Sequence, residues 1–108
     1  MADELKRDVT EEQIKQWKAK HGEVFALESD DLTVYCRKPG RVEMARFAKA
    51  LQRDLYRASH NLLVSCRLHP DMDVINAVAE SRPGVILSLA GELSELAGAN
   101  VAFLSRKL

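Results

Sequence analysis

Apolar positions along this chain follow two periodicities, and the switches between them mark out the elements. In TEEQIKQWKAKH, from Thr10 to His21, Ile14 and Trp17 stand three residues apart, the spacing of a helix that buries one narrow stripe. Thr10 with Gln13 three residues on, and glutamates between, forms a capping-box start. The acidic first turn and lysine-rich last turn suit the helix dipole. Gly22 stands where a helix end wants a left-handed residue. EVFALE and LTVYCR follow, separated by SDD. Their valine, phenylalanine, threonine and tyrosine content around a short polar turn predicts a β-hairpin. Pro39-Gly40 ends its second strand. Two strands alone are marginal, so the hairpin needs a helix across one face or strands from another copy.

Helical spacing resumes at Arg41 and predicts a helix to about Ala58, with Met44, Phe47, Ala48, Leu51 and Leu55 on one stripe. Arg46, Lys49, Arg53 and Arg57 recur on the opposite side, and Glu43 is placed to pair with Arg46. In SHNLLVSCRLHPD, Leu62, Leu63 and Val64 are apolar, and His69-Pro70 must break any continuing helix. This segment is expected to be a helical extension or a short irregular crossing that packs inward and turns. Asp71 can cap DMDVINAVAES, whose buried side would be Met72, Ile75 and Val78 or Ala79. Pro83 suits the first turn of a last helix, with Ser81 as its cap. That helix, RPGVILSLAGELSELAG, carries Val85, Ile86, Leu89, Leu93 and Leu96 around much of its circumference, which suggests that it is central or covered by a partner. Gly98 ends it and leaves NVAFLSRKL as a last turn, a short strand or a tail. The reading is one α+β domain over residues 10–108, comprising an N-terminal helix, a β-hairpin and about three helices packed on it. The polar residues 1–9 are expected to be flexible.

Length and composition agree with this. The 108 residues, 46% hydrophobic and 30% charged, suffice for one real core. No apolar run approaches a membrane span. MADELKRDVTEE lacks the apolar segment of a secretory signal, so a cytoplasmic location is expected. Cys36 and Cys66 are too few for a disulfide framework and sit among apolar neighbours, which marks them as reduced core thiols.

Charge changes the picture locally. The chain has 16 residues of each sign, so no global attraction to nucleic acid or anionic lipid is expected. Yet the segment from Arg37 to Arg57 holds Arg37, Lys38, Arg41, Arg46, Lys49, Arg53 and Arg57 against Glu43 and Asp54. Those cations could engage phosphates, with Tyr35 or Tyr56 stacking on bases. A solvated helix face explains them with fewer assumptions, and no helix precedes this one at helix-turn-helix distance. The acidic Asp71, Asp73, Glu80, Glu92 and Glu95 lie in the C-terminal half, so opposite faces could also orient a partner or another copy.

Catalytic and metal chemistry are thinly supplied. There is no Walker-type loop, nucleophile elbow, HExxH helix or dinucleotide fingerprint. Ser59-His60, or Cys66 with His60 or His69, lack an identifiable orienting group. Cys66, His69 and Asp71 are legitimate zinc ligands, but a structural site wants four, and Cys36 and His21 would have to arrive by folding. The expectation is a non-enzyme without metal or cofactor.

Four pieces in order, EEQIKQWKAKHGEVFALE, LTVYCRKPGR, NLLVSCRLHPD and AGELSELAG, resemble a family of small phage and prophage tail assembly chaperone-like proteins. The match runs from Glu11 to Gly98; it departs after Cys66, where the family favours Gly-Asp and this chain has His69-Pro70-Asp71. The resemblance implies an α+β fold and an assembly factor in a bacterial host. Such a factor covers apolar segments of tape-measure or tail-tube proteins until polymerisation buries them, and it carries no catalytic residues or cofactor. The surfaces available for that role are Leu62 and Leu63, and the broad face of Val85, Ile86, Leu89, Leu93 and Leu96. A small nucleic-acid-associated regulator is the alternative, and a self-associating structural component the third reading.

Overall fold

Strand β2 (Thr33–Arg37) lies at the centre of a three-stranded sheet. It pairs antiparallel with β1 (Val24–Glu28) on one side and β3 (Arg67–His69) on the other. The structure is a computed structural model that describes residues 9–108. Eight of the nine N-terminal residues expected to be flexible, 1–8, lie outside the described residues. The register sets Phe25 opposite Cys36 and Leu27 opposite Val34. Side chains alternate across a strand, so these four share one face, where Val34 and Cys36 have no exposed surface. Tyr35 and its partners Ala26 and His69 share the other face.

Helix α1 (Glu11–His21) covers the Tyr35 face. The Trp17 ring centroid lies 5.8 Å from that of Tyr35 and 6.5 Å from that of His69, and Tyr35 meets His69 edge-on at 6.1 Å, within the range of favourable aromatic pairs. The helix is bounded as expected. Thr10 Oγ1 accepts the Gln13 N–H at 3.1 Å. Gly22, at φ +84°, donates its N–H to the Lys18 carbonyl at 2.8 Å, a conformation that residues with a Cβ avoid.

The opposite face is covered by α2 (Arg41–Leu51), α3 (Leu55–Cys66), α4 (Met72–Ser81) and α5 (Gly84–Leu96). The core joins Leu32, Val34 and Cys36 of the hairpin to Leu62, Leu63 and Cys66 of α3, Ile75 of α4, and Ile86, Leu89, Ala90 and Leu93 of α5. Positions 86, 89, 90 and 93 form a single helical stripe. Fully burying one such leucine or isoleucine stabilises the fold by about 1.5–3 kcal/mol. On α4, Ile75 is buried and Met72, Val78 and Ala79 pack at the core's edge.

The α+β architecture agrees with the sequence reading, and four local details differ. The basic helix does not run to Ala58: it stops at Leu51, and Asp54 starts α3, its Oδ1 accepting the Arg57 N–H at 3.0 Å. Met44 and Phe47 still pack on the core, whereas Leu55 is 55% exposed. After Cys66 the chain becomes a strand, so the hairpin gains its third strand from its own chain. Ser81 does not cap the last helix; its hydroxyl donates to the Ala77 carbonyl at 3.1 Å, and Pro83 occupies the cap position of α5. Residues 101–108 form neither helix nor strand.

The break at Asp54 makes a direct test possible. Asp54→Ala should cost about 0.5–2 kcal/mol in urea denaturation through the lost cap. Leu55→Asp should change stability by no more than about 0.5 kcal/mol; a core role for Leu55 would make it severe.

Candidate functional site

The sequence singled out a basic segment and an apolar surface, and the structure divides each of them. Arg37 closes the corner between sheet and helices. Its Nη1 donates to Glu43 Oε1 at 3.0 Å, and its Nη2 donates to the Ser65 carbonyl at 3.0 Å. Glu43 Oε1 also accepts the Gly40 N–H at 2.7 Å, so it caps α2 from its third position. A Cβ at Gly40 would stand 3.0 Å from that oxygen, a tight contact that the carboxylate would have to yield to. Glu43 therefore pairs with Arg37 rather than with Arg46. Its carboxyl is held below the ordinary carboxylate range, first by the Arg37 hydrogen bond and then by the Gly40 N–H, with the charges of Arg37 and Arg46 adding to both.

Arg37 is thus occupied within the fold rather than available as part of a basic surface. Lys38 lies 3.6 Å from Glu23, with both side chains substantially exposed, and Arg41 is exposed at the first turn of α2. Arg46, Lys49, Arg53 and Arg57 converge instead, lining a cleft of about 530 Å³ with Ala50, Asp54 and Asn61. None of the four forms an ion pair among the described residues. Because of the turn at Gln52–Asp54, cations that a single continuous helix would present as one straight stripe instead line a cleft shared by α2 and α3.

The apolar candidates are corrected by burial. Leu63, Ile86 and Leu93 have no exposed surface, and Leu62 is 3% exposed. They are core, because α3 and α5 pack these faces on the sheet and on each other, and no partner can reach them in the folded chain. Leu96 packs at the core's edge. Leu89 is core too, at 8% exposure, whereas Val85 stays half-buried; both lie on one wall of a groove between α5 and the hairpin. Leu27 and Leu32 line the other side, and Glu28 and Glu92 also border the groove, whose volume is about 470 Å³. At one end Arg82 Nη1 donates to Asp31 Oδ2 at 2.6 Å. Leu27, Glu28 and Leu32 had no signal in the sequence as site residues, since the hairpin and α5 are far apart along the chain.

A family model for a domain of unknown function, DUF6848, matches residues 17–106. The chain belongs to the DUF6848 family. Its fold is also similar to that of the uncharacterised protein rbstp2171 from Bacillus stearothermophilus, at 27% identity and a TM-score of 0.73, over 86% of this chain and 99% of the other. No curated protein matches the chain.

In this DUF6848 domain the nucleophiles considered from sequence are held by the fold. Ser59 is buried, and its hydroxyl donates to the Leu55 carbonyl at 2.8 Å. His60, the next residue on α3, points away from it, as adjacent helical positions do. Cys36 and Cys66 are buried free thiols. Burial pushes Cys36 up to about 12, with Cys66 adding, and burial also raises Cys66; both are thiols rather than reactive thiolates near neutral pH. His69 is committed to the aromatic cluster with Trp17 and Tyr35. Among the described residues, no three His, Cys, Asp or Glu side chains gather where a metal ion could be held, and no helix is long and apolar enough to cross a membrane.

The pH dependence of the Glu43 corner follows from its depressed pKa. As pH falls, the unfolded chain takes up this proton first, so the corner's contribution is present above about pH 4.5 and is lost as pH drops through the lower folded value. Glu43→Gln should destabilise the DUF6848 domain by about 0.5–1.5 kcal/mol at pH 7. The gap to wild type should close below pH 4.5, as read from urea midpoints across pH.

Proposed function

We propose that this protein is a non-enzymatic protein-binding factor that covers an apolar segment of a client chain. In the phage tail setting implied by the sequence resemblance, that client is a tape-measure or tail-tube protein. The supporting observation is the groove between β1 and α5, with Val85, Leu89, Leu27 and Leu32 along it and Glu28 and Glu92 beside them. An apolar lining gives non-directional affinity that is proportional to the area covered. Polar neighbours keep the empty groove wetted and limit how tightly a segment is held, as reversible holding requires. The test is fluorescence anisotropy of a labelled leucine- and phenylalanine-rich peptide. Ser88→Trp, placed in the groove from an exposed position, should weaken binding by about tenfold or more while the circular dichroism spectrum is unchanged. Equal binding by the variant would remove the groove from the proposal.

The convergence of Arg46, Lys49, Arg53 and Arg57 on one cleft favours a second reading, a site for the backbone of a nucleic acid. Phosphate contacts by four cations predict affinity that falls steeply with salt. Arg53→Glu combined with Arg57→Glu should abolish oligonucleotide binding. No binding by the wild-type chain at about 50 mM salt would exclude this reading.

A further inference from the structure

The segment after α5 is built unlike the rest of the described residues. The helix ends in a two-bond cap: Gly98 N–H donates to the Glu95 carbonyl at 3.0 Å and Ala99 N–H donates to the Ser94 carbonyl at 2.9 Å. Gly98 takes the left-handed conformation, at φ +100°, that this cap demands. Asn100 follows at φ +67°, and the chain leaves the body. Residues 101–108 form no hydrogen bond or ion pair with the described residues. Phe103 is 89% exposed, Leu104 98% and Leu108 100%. Apolar side chains held together in water at this exposure mark an interaction site, and unpaired backbone groups can join a sheet edge.

The groove beside β1 has the complementary features. β1 is an edge strand: among the described residues only β2 pairs with it. The groove's apolar wall suits Phe103 and Leu104. Glu28 and Glu92 beside it form no ion pair among the described residues, while the segment carries Arg106 and Lys107. A chain's own segment leaves α5 one turn beyond Glu92 and about 16 Å along the axis from Val85; it projects into solvent and lines no part of its own groove. Two copies related by a two-fold axis can satisfy both surfaces reciprocally.

We propose that residues 101–108 of one copy dock in the groove between β1 and α5 of a second copy, giving a dimer in which each apolar segment fills the other's groove. The inference rests on the reading of that groove as a site for apolar protein segments, and it names the occupant present before any client arrives. The segment adds along the outer edge of β1, its apolar side chains enter the groove, and Arg106 and Lys107 meet Glu28 and Glu92. A client segment then competes with the docked segment, so holding a client and dissociating the dimer are coupled.

Sedimentation equilibrium of the full chain tests this. Wild type should be dimeric, and Phe103→Asp with Leu104→Asp should be monomeric with an unchanged fold, since both positions are exposed. Glu28→Lys with Glu92→Lys should weaken the dimer by about tenfold or more. Adding Arg106→Glu and Lys107→Glu to that variant should restore it. A monomeric wild type, a dimer indifferent to the Phe103 and Leu104 changes, or charge exchange without rescue would each overturn the proposal. Peptide binding measured on the same samples separates the two readings. A monomeric wild type that still binds peptide in the groove sinks the dimer alone. A segment-dependent dimer that peptide does not displace supports the docking and removes the client reading.

Discussion

The guanidinium of Arg37 ties together three parts of the chain, the end of the central strand and one end of each of two helices. It stands at the end of β2, donates to Glu43 in the first turn of α2, and donates to the Ser65 carbonyl in the last turn of α3. The same carboxylate takes the Gly40 N–H, so one ion pair serves both as a helix cap and as a link between sheet and helices. Charge-assisted hydrogen bonds in this half-buried setting have defined geometry. They tie the first turn of α2 and the last turn of α3 to the end of β2. Cys66 and β3 follow within two residues of Ser65, so this tie lies next to the start of the third strand.

With the corner in place, the sheet's two faces are used differently. The Tyr35 face takes a light cover: α1 has no fully buried residue and meets the sheet largely through Trp17. The Val34–Cys36 face takes the main core, against which α3, α4 and α5 bury their stripes. α5 covers this face without closing against β1, and the opening between them is the groove bordered by Glu28 and Glu92. The α2–α3 turn, on its part, gathers four cations at one cleft. A protein with no net charge thereby presents a basic cleft and, separately, a groove bordered by Glu28 and Glu92.

Much of the fold was legible because local rules and tertiary demands agree. Thr10, Gly22, Pro39-Gly40 and Gly98 each sit where a cap or turn needs that residue, and the spacing of Ile75 and Ile86 with Leu89 and Leu93 identifies core-facing stripes. The break at Asp54 was masked because Leu55 continues the spacing of Met44, Phe47 and Leu51 by chance, and periodicity alone cannot show that a cap interrupts it. β3 was masked because three residues are too few to show alternation; their strand conformation comes from pairing with Tyr35 and Cys36. The candidate apolar surface was the least legible part. An apolar residue at an open edge and one that faces the core have the same helical spacing, and Leu93 differs from Val85 only in what stands opposite it.

The sequence by itself determined most of the elements, the periodicity of their buried faces and the turn chemistry at most of their ends, because these depend on neighbours within about four positions. Tertiary structure alone decided which cations remained available and which apolar residues stayed at the surface. Arg37 differs from Arg53 by having a carboxylate and a carbonyl within reach, and Val85 differs from Ile86 by lying at an edge that β1 leaves open. Accessibility is a property of what packs against a residue, and contacts between residues distant in sequence leave no local pattern from which to read it.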